Sequence, residues 1–339
     1  MTASTAKERL KSLLHMSARD GLANRPPPSL PSRRRRDRLA ARGLFLLTLL
    51  PLGLVLIITA ALAVRAWPIL EAHSLGELLG GAIWKPFKGL FGFWPFIAGT
   101  LWVTLTSVVL AVPACLLTAI YLAEYARQST RAVMKPLLDL LAAIPSVVYG
   151  VWGMVAIVPF VQNTMAPFFS RWLGFIPLFQ SDNPTGFGIM AGAVVLAVMI
   201  APFIIAVAYE VMSTVASGLR EASLAVGATR WQTVRYAVLP QTLPGILAGI
   251  VLGLSRALGE TMAVLMVVGN VVQVPGSIFD AAYPLPALIA NNYGEMMSIP
   301  LYDAALMGAA LILLLIVLIF NIASTLILRR IMGRVRRAW

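Results

Sequence analysis

The chain alternates long apolar runs with short polar breaks, and this pattern predicts six membrane-spanning helices. A transmembrane helix needs about 20 mostly apolar residues to cross about 30 Å of hydrocarbon. Six such runs are present, and the breaks between them contain turn-forming Pro, Gly, Asn and Asp residues. The runs lie at roughly 44–65, 95–123, 133–161, 187–209, 245–270 and 302–328. The pattern therefore predicts an all-α polytopic membrane protein.

Composition and residue counts narrow the class further. Apolar residues make up 59% of the 339 residues and charged residues only 12%, with a mean hydropathy of +0.84. Soluble domains carry about 45–50% apolar and about 25% charged residues, so a soluble protein is excluded. One cysteine (Cys115) and two histidines (His15 and His73) are too few for a disulfide framework or a Cys/His metal cluster. We therefore expect no metal site and no cofactor.

The distribution of Lys and Arg predicts the orientation of the chain in the membrane. If the N-terminus is cytoplasmic, six spans return the C-terminus to the cytoplasm. Of the 27 Lys and Arg residues, 22 then lie on the cytoplasmic side, four lie outside and one, Arg256, lies within a span. Short cytoplasmic loops are enriched in Lys and Arg, which supports this orientation. Nucleic-acid binding is not indicated, because the densest basic run, 33–36, directly precedes the first span and suits anionic lipid headgroups.

These patterns divide the chain into five segments. The first is a basic tail, predicted from its Pro-rich composition to be disordered and cytoplasmic, and the last is a short basic cytoplasmic tail. Between the tails lie one separate span, a periplasmic loop and a block of five further spans. The predicted boundaries are 1–43, 44–65, 66–93, 94–328 and 329–339.

The fifth apolar run contains two charges, Arg256 and Glu260, together with Gly245, Gly249 and Gly253. On one continuous helix, all five residues share a narrow face. Small residues at every fourth position allow close helix packing, so this face should contact protein. A charge at mid-span costs about 2.5–3.5 kcal/mol on insertion scales. Either the charges form a structural ion pair at i, i+4 spacing, or they line a hydrated path in which Arg256 contacts an anion. We favour the path.

A second informative stretch is the predicted cytoplasmic loop 210–244 between the fourth and fifth runs. It is longer than a simple connection needs, and it is semi-apolar with helical spacing. Gly227 permits a break between two short helices. Periodicity alone leaves two interpretations open, a simple connection and a segment that docks on a partner protein.

Residues in this loop resemble the signature loop of permease subunits of ATP-binding-cassette (ABC) importers. That loop reads Glu-Ala-Ala, three residues, Gly, nine residues, Ile, any residue, Leu-Pro. The matching positions are Glu221, Ala222, Gly227, Leu239 and Pro240, whereas Ser223 and Ala237 depart from the pattern. In that family the loop is the coupling helix, which inserts into a groove of the cytoplasmic ATPase. The resemblance therefore implies that the matching residues couple transport to ATP hydrolysis.

The stretch from Arg256 to Glu260, Arg-Ala-Leu-Gly-Glu, is similar to one found in oxyanion importer permeases, including those for sulfate and molybdate. The continuation at 261–264 and the segment 144–150 in the third run look like the phosphate system. Within that system the C-type permease fits better than its A-type partner. The resemblance covers roughly residues 92–328.

The resemblance implies a type I ABC importer permease fold and a division of labour among subunits. A periplasmic binding protein would deliver phosphate, and this chain with an A-type permease would form a heterodimeric path across the bacterial inner membrane. Two ATP-binding subunits would supply the energy. The chain would not itself be an enzyme, and it lacks the Gly-Lys pair that a Walker A motif requires.

Four residues are implied to line the path. Arg256 would attract phosphate, and Glu260 would hold Arg256 when the path is empty. Ser146 and Tyr149 in the third run would either donate hydroxyl hydrogen bonds to the anion or simply pack between helices.

Other functions are also compatible with these residues. The nearest is a permease for sulfate, molybdate or phosphonate. A passive channel or an ion-coupled secondary transporter would also contain an intramembrane charge pair, but it would not need the loop at 210–244. A membrane-embedded sensor that docks a cytoplasmic regulator is a third alternative.

Overall fold

The structure is a computed structural model that describes residues 30–180, 183–295, 299 and 301–335. Residues 1–29 of the predicted basic tail and the last four residues of the chain lie outside this description. In the described residues, helices dominate and two short strands form one antiparallel hairpin. The elements are α1 (Leu30–Ala72), α2 (Leu75–Gly80), β1 (Trp84–Lys85), β2 (Leu90–Phe91), α3 (Trp94–Tyr125), α4 (Gln128–Ala143), α5 (Ser146–Leu173), α6 (Ile189–Ser213), α7 (Ser217–Ala225), α8 (Arg230–Leu258), α9 (Met262–Leu265), α10 (Leu285–Asn292) and α11 (Tyr302–Val335).

Six of these helices are long and apolar enough to cross a membrane, which confirms the predicted number of spans. They are α1, α3, α5, α6, α8 and α11. Helix α1 extends beyond the predicted run 44–65, so the predicted periplasmic loop 66–93 begins as helix. Helix α11 likewise continues past residue 328 into the predicted basic tail.

The chain divides into two compact units, residues 1–58 and 59–339. In the described part of the first unit, residues 30–58 belong to α1. Its apolar side chains are exposed, for example Leu44 at 64% and Ile57 at 67%. A helix that is apolar all round and exposed suits a lipid environment.

Helix α6 lies at the centre of the second unit. Ile189, Leu196, Ile200 and Ile204 on this helix are completely buried. It packs against both α3 and α8, and α8 in turn packs against α11. The sequence of α6 is apolar on all sides, which is typical of a helix surrounded by other helices.

A row of three glycines allows α8 to approach α6 closely. Cβ atoms added at Gly245, Gly249 and Gly253 would lie 2.5, 2.9 and 2.7 Å from side-chain carbons of Val211, Val207 and Ile204, respectively. We call these three contacts the glycine seam. They confirm that the glycine face of the fifth span contacts protein.

An aromatic cluster forms a second core next to the hairpin. The Trp84 ring centroid lies 5.0–6.0 Å from the ring centroids of Phe91, Phe93, Phe96 and Tyr302. Aromatic pairs at these distances and tilted angles are favourable. The cluster therefore fixes the hairpin against the first turns of α3 and α11.

The third span differs from the predicted run 133–161. Proline disfavours helical geometry in the residue before it, and Ile144, which precedes Pro145, is extended (φ −63°, ψ 130°). The run is therefore split into the amphipathic helix α4 and the spanning helix α5. The Tyr149 hydroxyl donates to the Leu141 carbonyl across the break (2.8 Å).

The fifth span also differs from the predicted run 245–270, because α8 begins at residue 230 and ends at residue 258. A capping box between Thr229 and Gln232 starts the helix. Pro240 lacks the N–H that a regular α-helical hydrogen bond would need. The π turn Val234–Val238, which comes just before it, lets the helix continue through this position. Consequently the loop predicted at 210–244 is reduced to 214–229, and most of that connection is α7.

Candidate functional site

Arg256 lies in the last turn of α8, with an exposed side chain. Its guanidinium carbon lies 4.2 Å from the centroid of the Phe203 ring on α6. This distance is typical of a cation–π contact, which is worth about 0.5–2 kcal/mol. Because the Phe203 ring covers only one face of the Arg256 guanidinium, the N–H donors along the edge of the guanidinium can still bind an anion.

Glu260 is not paired with Arg256, contrary to the predicted i, i+4 pair. The helix ends at Leu258, and Gly259 and Glu260 are not helical, so the two charges do not share a helix face. The Glu260 carboxylate instead accepts from the backbone N–H of Ala263 (3.2 Å) at the start of α9. Phe203, rather than a carboxylate, is therefore the neighbour of Arg256.

A narrow crevice lies beside Glu260. Two threonines of α3 line it, Thr100 and Thr104, and both are almost fully buried. The Thr100 hydroxyl donates to the Phe96 carbonyl (2.7 Å) and accepts from the backbone N–H of Leu285 (2.9 Å). Sequence reasoning missed these threonines, because single threonines in an apolar run carry no distinct signal.

Ser146 and Tyr149 lie in the first turn of α5. Tyr149 is buried, and its hydroxyl is already bonded to Leu141, as described above. The geometry favours a packing role for Tyr149, whereas Ser146 is only half-buried.

The residues of the signature loop fall into two groups. Glu221 and Ala222 are exposed on α7, and Gly227 lies just after that helix with a positive φ of 86°, which favours glycine. The neighbouring Val226 is 85% exposed. Leu239 and Pro240 lie within α8. The first group therefore forms a protruding surface, and the second belongs to the span that follows it.

Arg220 fastens α7 to the ends of two spans. Its guanidinium forms an ion pair with Glu124 at the end of α3 (2.8 Å) and donates to the backbone carbonyls of Met212 (2.8 Å) and Val215 (2.5 Å) at the end of α6. Glu124 is 96 residues away in sequence. Sequence reasoning therefore missed this connection, although Arg220 lies next to Glu221 of the signature.

Ser223, a departure from the family pattern, has a clear structural role. Its hydroxyl lies 2.9 Å from the Thr233 hydroxyl, which is on α8. This hydrogen bond joins α7 directly to the fifth span. Movement of α7 would therefore be transmitted to α3, α6 and α8 through the bonds of Arg220 and Ser223.

The fold and this site define a membrane-embedded transport component in which the exposed helix α7 is bonded to the ends of three spans. Comparison with known proteins gives the family. The chain belongs to the family of binding-protein-dependent transport system inner membrane components, whose sequence profile matches residues 115–337. This confirms the expectations of a transport component rather than an enzyme and of a multi-pass bacterial inner-membrane location.

Two curated relatives are phosphate transport system permease proteins named PstC. The protein from Pasteurella multocida (strain Pm70) is 39% identical over 251 residues, which cover 73% of this chain and 78% of the relative. The protein from Mesorhizobium japonicum is 35% identical over 285 residues, which cover 81% of this chain and 86% of the relative.

A solved structure supports the fold. In the crystal structure of a bacterial alginate ABC transporter in complex with an alginate pentasaccharide-bound periplasmic protein, one chain matches with a TM-score of 0.57 at 19% identity. The match covers 89% of this chain and 98% of that chain. Together with the family, it confirms the predicted type I ABC importer permease fold.

Proposed function

We propose that this chain is the permease subunit of an ATP-driven importer that carries inorganic phosphate across the inner membrane. The main support is its 39% identity to a phosphate transport system permease protein over most of both chains. The exposed Arg256 on the fifth span supplies the cation that such an anion needs. Sulfate, molybdate or phosphonate are the alternative cargoes.

Arg256 and Phe203 together explain how the anion can bind and leave. A guanidinium binds an oxyanion through charge-assisted hydrogen bonds, which are stronger than neutral ones. When the path is empty, the Phe203 ring holds the guanidinium at 4.2 Å. A transport site must be attractive enough for entry and weak enough for release. The ring therefore takes the role that sequence reasoning gave to Glu260.

Glu221 and Ala222, together with Gly227, form the proposed contact with the ATPase. They lie on or beside α7, which protrudes and is fastened through Arg220 and Ser223 to three spans. Leu239 and Pro240, which lie within α8, would transmit movement of α7 along that span. The proposed partners are an A-type permease in a heterodimer, two ATP-binding subunits and a periplasmic phosphate-binding protein. With these partners we expect both chain termini in the cytoplasm, as the distribution of Lys and Arg also predicts.

Uptake of labelled phosphate tests the proposed cargo. Cells that lack this gene should take up phosphate from low concentration only when the gene is restored, and arsenate but not sulfate should compete. Arg256→Gln should abolish uptake while the subunits still co-purify. Equal uptake with and without the gene would refute phosphate as the cargo, and competition by sulfate would identify a different oxyanion.

A further inference from the structure

A cleft between α4 and α6 contains charged groups that the path described above does not use. Helix α4 contributes Arg131, Lys135 and Asp139, which follow one another at four-residue spacing and so share a face. Helix α6 contributes Tyr209 and Glu210. The cleft therefore brings two cations and two carboxylates together between two helices.

The cationic groups of the cleft are available to a ligand. Arg131 donates through Nη2 to the Ala123 carbonyl (2.8 Å), but its Nε is buried and makes no hydrogen bond within the described part of the chain. Among the described residues, neither Arg131 nor Lys135 forms an ion pair with Asp139 or Glu210. An anion entering the cleft would therefore meet the exposed Lys135 ammonium and the partly exposed, positively charged guanidinium of Arg131.

The cleft lies on the same face of α6 as the Arg256 site. Phe203, which contacts Arg256, and Glu210, which lines the cleft, are seven residues apart, or about 10 Å along the helix and only about 20° around it. Ala206 lies between them, is exposed, and also lines the cleft. The cleft also lies at the end of the bundle that carries α7, because Arg131 contacts Ala123 and the adjacent Glu124 contacts Arg220.

We propose that this cleft is a second oxyanion contact on the exit side of the path. Lys135 and Arg131 receive the anion that leaves Arg256, and the carboxylates of Asp139 and Glu210 shorten its stay by like-charge repulsion. Two weak sites in sequence let an anion move without a deep trap. The proposal rests on the proposed function, since it requires an anion path past Arg256.

Substitutions of Lys135 test the proposal, because its side chain is exposed and forms no hydrogen bond or ion pair with the described residues that a substitution would remove. Lys135→Gln should lower the Vmax of phosphate uptake about 3- to 10-fold, because a partly solvated charge contact is worth about 1 kcal/mol. The KM should change little, because the affected step follows entry of the anion. Lys135→Glu should lower Vmax further, and Lys135→Arg should retain it. The matched control is Arg127→Gln, which removes the same charge at the start of α4 but outside the cleft.

A chemical rescue separates charge from structure. The natural cysteine, Cys115, is only 1% exposed, so a Lys135→Cys variant presents one accessible thiol in the described chain. In inside-out vesicles, a thiol reagent that attaches an ethylammonium group should restore transport, and one that attaches an ethylsulfonate should not. Equal rescue by both reagents would overturn the proposal.

Two further results would also overturn the proposal. One is wild-type Vmax in both Lys135→Gln and Lys135→Glu, and the other is an equal loss in Arg127→Gln. Failure of the proposed function would look different, because the unmodified chain would then carry no phosphate whatever residue stands at position 135.

Discussion

Replacing Glu124 with Gln should loosen α7 from the bundle and weaken its proposed contact with the ATPase. The substitution keeps the size of the side chain but removes the charge that Arg220 contacts at 2.8 Å. Both side chains are largely buried, with relative exposures of 10% for Glu124 and 23% for Arg220, so solvent screens the pair only in part. A hydrogen bond to a charged group contributes about 1.5–3 kcal/mol. Since 1.4 kcal/mol is tenfold in affinity, we expect the Kd for the ATPase to rise about 10-fold or more.

Titration of the purified ATPase onto the proposed permease heterodimer in lipid discs measures this Kd. Arg235→Gln is the matched control, because it removes an exposed charge on α8 that contacts Tyr236 rather than α7. It should change Kd by less than about 2-fold, as expected for an exposed charge. The double variant Glu124→Gln with Arg220→Gln should lose less than the sum of the single variants. Additive losses, or a wild-type Kd for Glu124→Gln, would refute the role of this ion pair.

Three further substitutions test other parts of the structure. Gly249→Val should lower the thermal midpoint of the purified permease, because overpacking a tight contact costs about 1–3 kcal/mol. Gly218→Ala is the control and should not lower it, because a Cβ atom at this position meets open space. Equal midpoints for the two variants would contradict the glycine seam. Phe203→Leu should lower uptake Vmax about 5-fold because Arg256 loses the ring that competes for it, whereas Phe203→Tyr should retain uptake. Tyr149→Phe should keep uptake and cost about 1 kcal/mol of stability; lost uptake in a stable protein would return Tyr149 to the anion path.

The number of spans could be predicted from sequence, but several of their boundaries could not. Hydropathy averaged over a window detects a long apolar run, and it does not detect a single residue that breaks the run. Pro145 splits the third run, and Gly259 ends the fifth run before Glu260. Conversely, the π turn Val234–Val238 lets α8 continue through Pro240, so the helix begins well before the predicted start at residue 245.

The site was only partly predictable for the same physical reason. The positions of Arg256 and Glu221 follow from local patterns, and the structure places both side chains at exposed surfaces. The partner of Arg256 was wrongly predicted, because the i, i+4 argument needs a continuous helix. The pair of Arg220 with Glu124 joins residues 96 positions apart, and one sequence contains no signal for such a contact.

The glycine seam limits how the two central spans can move. At three successive positions, α6 side chains pack directly against α8 glycines. A Cβ atom added at any of these glycines would lie within 3 Å of a side-chain carbon of α6. Sliding α8 along α6 by a fraction of a turn would drive the branched side chains of α6 into the flanking residues of α8 instead of into the glycines. Sliding of α8 past α6 is therefore blocked, whereas rotation of α6 and α8 together as one rigid body would preserve all three contacts. Alternating access in this half of the transporter should consequently proceed by hinge-like rotation.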